Sequence, residues 1–181
     1  MSDFLNDLQK EYLLDLARKA VTAKIKEDRT IEAETDDSLL NSKRGVFVTL
    51  KVNGELRGCI GYPLPHKPLA AATVEMAIAA ATQDYRFEPL RESDLGYLDI
   101  EISVLTLPRP AKDISEIVVG RHGIILSKGH RRGLLLPQVP VEYGWDVETY
   151  LRHGCLKAGL DQNEWKRGAA IEIFEAQVFS E

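Results

Sequence analysis

The segment Leu56-Arg57-Gly58-Cys59-Ile60-Gly61 sets a guanidinium and a thiol two residues apart, between glycines. A thiolate is the reactive form of cysteine, and a neighbouring arginine favours it. Arginine also offers a planar fork to a carboxylate or phosphate. Glycines so close together let another backbone or a ligand approach. Cys59 is therefore a candidate nucleophile, with Arg57, Gly58 and Gly61 as candidate substrate contacts. The plainer readings are a small buried hydrophobe for Cys59 and an ion pair with an acid such as Glu101 for Arg57.

Three further groups can do chemistry. His122, between Arg121 and Gly123, is a candidate general base or anion contact, against the reading of a turn histidine in solvent. Arg86 and Gln138 are candidate substrate contacts, the latter with Glu142, Tyr143 and Trp145 beyond a proline-rich turn. Lys128, His130, Arg131 and Arg132 form a dense basic cluster, and Lys128, Arg131 and Arg132 are candidate phosphate contacts for RNA. The formal net charge of −5 gives no long-range attraction to nucleic acid, so a solvated turn is the simpler account. No metal or cofactor is expected: His153 and Cys155 sit two apart on a predicted helix and point to different faces, and dinucleotide, phosphate-loop, HExxH and GxSxG patterns are all missing.

The elements that must position these residues are legible in the pattern. Val46–Val52 is a β-branched run, and Asn53-Gly54 is a type I′ hairpin dipeptide. A two-residue loop sets Val52 opposite Glu55, Leu50 opposite Arg57 and Val48 opposite Cys59, placing Arg57 and Cys59 on the apolar face. Asp3 to about Lys26 has helical spacing, with Ser2 or Asp3 as cap, followed by an acidic connection to Arg44. Leu69 to about Gln83 is an alanine-rich helix, and Arg86 lies on the loop leaving it. Tyr97–Leu105 alternates as a half-exposed strand. Ile114–Val119 suits one or two helical turns or a short strand. Ile124–Ser127 and Leu134–Leu136 read as two buried strands joined by the basic turn. Asp146 caps a helix running towards Gly159, and Ala170–Phe179 closes the chain as a strand with a bulge near Phe174. This order implies an α+β fold with a mainly antiparallel sheet and flanking helices.

The chain of 181 residues has the length of one domain, or one domain with two lobes. Two cysteines almost a hundred positions apart imply reduced thiols rather than a disulfide framework. With no signal-like N-terminal segment and no apolar run of about 18 residues, the expectation is a cytoplasmic protein that makes no membrane contact.

Several segments in order, Gly45-Val-Phe-Val-Thr-Leu50, Leu56-Arg-Gly-Cys-Ile-Gly61, Asp84-Tyr-Arg-Phe-Glu-Pro-Leu90, Ile102-Ser-Val-Leu105, Gly120-Arg-His-Gly123, Leu134-Leu-Leu-Pro-Gln-Val139, Gly144-Trp-Asp146 and Lys157-Ala-Gly-Leu160, resemble the AMMECR family. The resemblance spans nearly the whole chain and fits an archaeal or bacterial member. It implies one domain over residues 1–181, two-lobed, with a smaller lobe inserted between N- and C-terminal parts and the LRGCIG segment near a cleft between the lobes. The family has no established molecular activity. What the resemblance implies of partners is Memo-type and radical-SAM proteins, with a link to RNA modification. Two functions follow: a cleft enzyme or enzyme component that binds a small anionic or acyl substrate through Arg57, Cys59, Arg86 and His122, or a non-catalytic adaptor for RNA or protein.

Overall fold

Asn6 starts the first helix: its side chain accepts the Gln9 N–H at 2.9 Å, and the Gln9 side chain accepts the Asn6 N–H at 2.9 Å. The helix, α1 (Asp7–Glu27), thus begins later than its apolar spacing suggested. The expected caps, Ser2 and Asp3, lie outside the residues that this computed structural model describes, 4–181. One stripe of α1, with Leu13, Leu16, Ala17, Ala20 and Val21, is buried, whereas Leu8 in the first turn is exposed.

The chain divides into two units, Met1–Leu105 with Gln177–Glu181, and Thr106–Ala176. In the first, β1 (Val46–Val52) and β2 (Glu55–Tyr62) form the expected hairpin, with Asn53 and Gly54 at φ of 53° and 81° as a type I′ turn requires. The helix α2 (Leu69–Thr82) is buried over most of its length, and its small residues let it pack closely on both strands and on α1. Strand β3 (Leu98–Leu105) pairs antiparallel with β1. Val46, Val48, Leu50, Ile100 and Ile102 fill the core between this β2–β1–β3 sheet and the helices. At the C-terminus, the Gln177 side chain accepts the Leu5 N–H at 2.8 Å and donates to the Leu5 carbonyl at 3.0 Å.

The hairpin register differs from the simple one. Val52 opposes Glu55 and Lys51 opposes Leu56, but Leu50 opposes Gly58, so Arg57 is an extra, bulged residue. The physical reason lies at Gly58: a Cβ there would sit 2.0 Å from the Ala80 carbonyl oxygen of α2. Only glycine can take the inward position opposite Leu50, and the bulge delivers it there. Beyond it Cys59 opposes Thr49, and Ile60 instead of Cys59 opposes Val48. The expected placement of Arg57 opposite Leu50 and of Cys59 among the core valines is therefore corrected.

The second unit contains β4 (Arg109–Pro110), β5 (His122–Lys128), β6 (Arg131–Leu135), α3 (Val139–Glu142), α4 (Val147–Lys157) and most of β7 (Ala170–Ser180). Its strands run antiparallel in the order β4–β7–β5–β6. Asp146 caps α4 by accepting the Thr149 N–H at 2.8 Å, and Gly159 follows the helix with φ of 71°. Ile114–Glu116 is a single 3-10 turn. The short α3 was not expected across Pro137 and Pro140, yet Pro140 stands in its first turn, where a missing N–H costs nothing. Against β5 there is no bulge near Phe174: the β5–β7 register is continuous from His122 opposite Glu175 to Ser127 opposite Ala170. The shift in sequence phase arises because consecutive Ile173 and Phe174 are both buried, the Phe174 ring lying over Gly123, where a Cβ would stand 2.1 Å from it. The fold is α+β, with an antiparallel sheet and flanking helices.

Candidate functional site

The bulge decides which face Cys59 occupies. Paired with Thr49, it lies on the face of the sheet away from the buried Val48 and Leu50, and it is half-buried. The Thr49 Oγ1 donates to Cys59 Sγ at 3.2 Å. Across Thr49 on β3 stands Glu101, so thiol, hydroxyl and carboxylate form one row over three strands. Lys51 on the same face pairs with Glu101 at 3.1 Å. The acid proposed for Arg57 is thus taken by lysine. Among the described residues no hydrogen bond or ion pair engages the half-buried Arg57 side chain.

Cys59 is held from its backbone side by residues just past the end of α2. The buried Asp84 carboxylate accepts the Cys59 N–H at 2.9 Å and the Arg86 N–H at 3.2 Å. It also takes Arg86 Nε at 2.9 Å and Nη2 at 2.7 Å, a bidentate pair, while Arg86 Nη2 reaches the Cys59 carbonyl at 3.3 Å. Above all, the Arg86 guanidinium holds the Asp84 carboxyl well below the usual range; the two backbone N–H groups add to this, and burial opposes it. Arg86, read from sequence as a substrate contact, spends one edge of its fork on Asp84. Asp84 itself escaped the sequence reading; its signal is an Asp-x-Arg at a helix exit, where an aspartate bonds the backbone two residues on.

The two glycines of the segment serve packing on their side-chain faces. Gly58 admits the Ala80 carbonyl, and a Cβ on Gly61 would lie 2.4 Å from the Phe47 ring. This is the close approach expected of them, made by the protein's own groups.

The remaining candidates belong to the second unit. His122 is 5% exposed, and its Nδ1 accepts the Val118 N–H at 3.0 Å, which fixes the proton on Nε2, 3.8 Å from Glu175. It is buried, which corrects the reading of a turn histidine in solvent. Beside it the fully buried Tyr150 hydroxyl lies 3.2 Å from the His122 carbonyl and 3.1 Å from those of Leu135 and Leu136, and burial raises its pKa. Tyr150→Phe leaves those carbonyls without this donor and should cost about 1 to 2 kcal/mol, read as a lower urea midpoint with unchanged slope. Gln138 is exposed at the start of α3, and its side chain caps nothing. In the basic cluster Lys128 pairs with Glu164, Arg132 with Glu172 at 3.0 Å, and Arg131 donates to the Gly159 carbonyl at 2.8 Å. Trp145 is a packing anchor, stacked between Tyr143 at 4.9 Å and His153 at 3.8 Å. Cys155 is buried, and burial pushes its pKa up. Among the described residues no His, Cys, Asp and Glu cluster could hold a metal ion, and no helix is long and apolar enough to cross a membrane.

The chain is 51% identical to the protein MK0488 of Methanopyrus kandleri, over 94% of this chain and 87% of that one. It is 42% identical to the protein Mbar_A1807 of Methanosarcina barkeri, over 98% and 92%. The crystal structure of the uncharacterized protein PH0010 from Pyrococcus horikoshii superposes with a TM-score of 0.79 at 41% identity, covering 98% of this chain and 93% of that one. Since the AMMECR1 family model also matches residues 14–179, the chain belongs to the AMMECR1 family.

Proposed function

We propose that the polar face of the β2–β1–β3 sheet binds a small anionic or acyl substrate, with Cys59 as the reacting group and Arg57 as the anion contact. The observation that carries this reading is the Thr49 hydroxyl bond to the Cys59 sulfur, which marks a polar, half-accessible thiol and not a packed one. Asp84 and Arg86 hold the Cys59 backbone on both sides, so the sulfur is fixed by groups outside the reaction. Arg57 supports the reading as a guanidinium two residues away with no partner among the described residues. In an acyl transfer the sulfur attacks the acyl carbon, the Sγ–C bond forms, and the bond to the leaving group breaks. The thiol proton departs with the leaving group. Water then cleaves the thioester, restoring the thiol and releasing the carboxylic acid.

Competitive alkylation tests both parts. With neutral iodoacetamide, Cys59 should react at least about tenfold faster than Cys155, whose thiol burial disfavours as thiolate. With anionic iodoacetate, the preference for Cys59 should grow further, and Arg57→Ala should remove only that added preference. Equal, slow modification of both thiols would end the nucleophile reading, and an iodoacetate preference that persists in Arg57→Ala would end the anion-contact role.

A further inference from the structure

The outer edge of β2 faces a cavity of about 680 Å³, bounded by Thr30–Ala33 on one side and Ile60–Tyr62 on the other, with Val74 and Ile78 of α2 as its floor. Both walls carry unpaired backbone. The Cys59 N–H goes to Asp84 and its carbonyl takes Arg86, so this residue turns its peptide groups away from β1. By the alternation of an antiparallel pair, Gly61 two residues on does the same. Among the described residues nothing bonds the outward groups of Gly61. On the opposite wall, residues 31–37 alternate like a strand: Ile31, Ala33, Thr35 and Asp37 are half-buried, whereas Glu32, Glu34 and Asp36 are exposed. Ile31 and Ala33 pack on the core as a strand's inner residues would, yet residues 30–33 make no backbone hydrogen bond among the described residues.

Two extended segments with orphaned peptide groups, facing each other across one cavity, lack the strand that would satisfy both. We propose that this slot binds a short, extended, basic peptide. Its backbone pairs with Gly61 on one side and with residues 31–33 on the other, and an apolar side chain rests on Val74 and Ile78. The slot is short because Asp84 and Arg86 already occupy the β2 edge at Cys59, and Pro63 brings no N–H at the other end. The basic character follows from Glu32, Glu34 and Asp36, which form no ion pair among the described residues. This site is separate from the Cys59 face and stands without it.

The test is fluorescence anisotropy with a labelled Lys-Lys-Val-Leu-Val-Lys-Lys peptide. It should bind saturably and more weakly as salt is raised. The same peptide N-methylated at alternate amides keeps its charge and side chains but loses edge pairing, and it should bind at least about tenfold more weakly. Ala71→Phe adds a ring at an exposed position lining the cavity and should weaken binding without disturbing the core. Glu32→Lys with Glu34→Lys should do so through charge. The proposal is overturned if the peptide does not bind at low salt, or if N-methylation leaves its affinity unchanged. It is equally overturned if the protein self-associates and Ala71→Phe abolishes that association, since the occupant would then be a second copy.

Discussion

Replacing Asp84 by alanine should lower the unfolding free energy by about 3 kcal/mol, read from a urea titration at neutral pH. The cost comes from the buried side of the interaction. The Asp84 side chain is 2% exposed, and its loss leaves the Cys59 and Arg86 N–H groups without their acceptor. The Arg86 guanidinium is half-exposed, so water takes over part of what it loses, and the pair's charge attraction supplies the smaller share. The same carboxylate gives a pH signature. Its folded pKa lies below its unfolded value near 3.9, so its contribution is complete above that value and is lost as pH falls from there through the folded pKa. The wild-type protein should therefore lose stability below about pH 4 more steeply than Asp84→Asn, which cannot titrate at this position. Parallel acid limbs for the two proteins would show that Arg86 does not hold the carboxylate in the charged form.

This clamp also marks where sequence reading stopped. The elements were legible because each had a local cause: Asn53-Gly54 turns the hairpin, alanine-rich Leu69–Thr82 propagates a helix, and Leu98–Leu105 alternates with period two. The candidate site was legible only as a set of residue types. Its geometry rests on one extra residue, Arg57, and nothing within the hairpin itself announces that bulge, because its cause lies on α2 at Ala80, more than twenty positions away. Without it, Cys59 reads as a core residue; with it, the thiol meets Thr49. Asp84 was missed for a similar reason. As a lone acid in a loop it resembles solvated charge, and only the fold brings the Cys59 N–H to it. His122 misled in the opposite sense: a histidine between arginine and glycine looks exposed, while the preceding turn, through the Val118 N–H, draws it inside. The β7 phase shift had no signal separable from a bulge, since the space for Phe174 comes from Gly123 on another strand.

If the bulge exists to bring Gly58 against α2, then Gly58→Ala should be among the most damaging single-methyl changes in the chain. The added Cβ would stand 2.0 Å from the Ala80 carbonyl oxygen and 2.8 Å from its carbon, and both are backbone, so no side chain can turn aside to make room. Either β2 lifts from α2 or the helix shifts, and an overpacked core position of this kind costs about 3 kcal/mol. Gly96→Ala is the matched control. Among the described residues nothing lies within 4 Å of a Cβ there and its φ is not positive, so it should be neutral or stabilise by about 0.5 kcal/mol through the unfolded chain. Urea midpoints at constant slope separate the two. The consequence reaches the candidate site, because Cys59 follows Gly58 directly and its N–H must still meet Asp84. A β2 strand displaced at Gly58 draws Cys59 away from Thr49 and Asp84 together, so the iodoacetamide rate at Cys59 should change in Gly58→Ala while that at Cys155 stays the same. Should Gly58→Ala match Gly96→Ala in stability, the close contact with Ala80 would not be what sets the register, and the exposure of Cys59 on the polar face would need another cause.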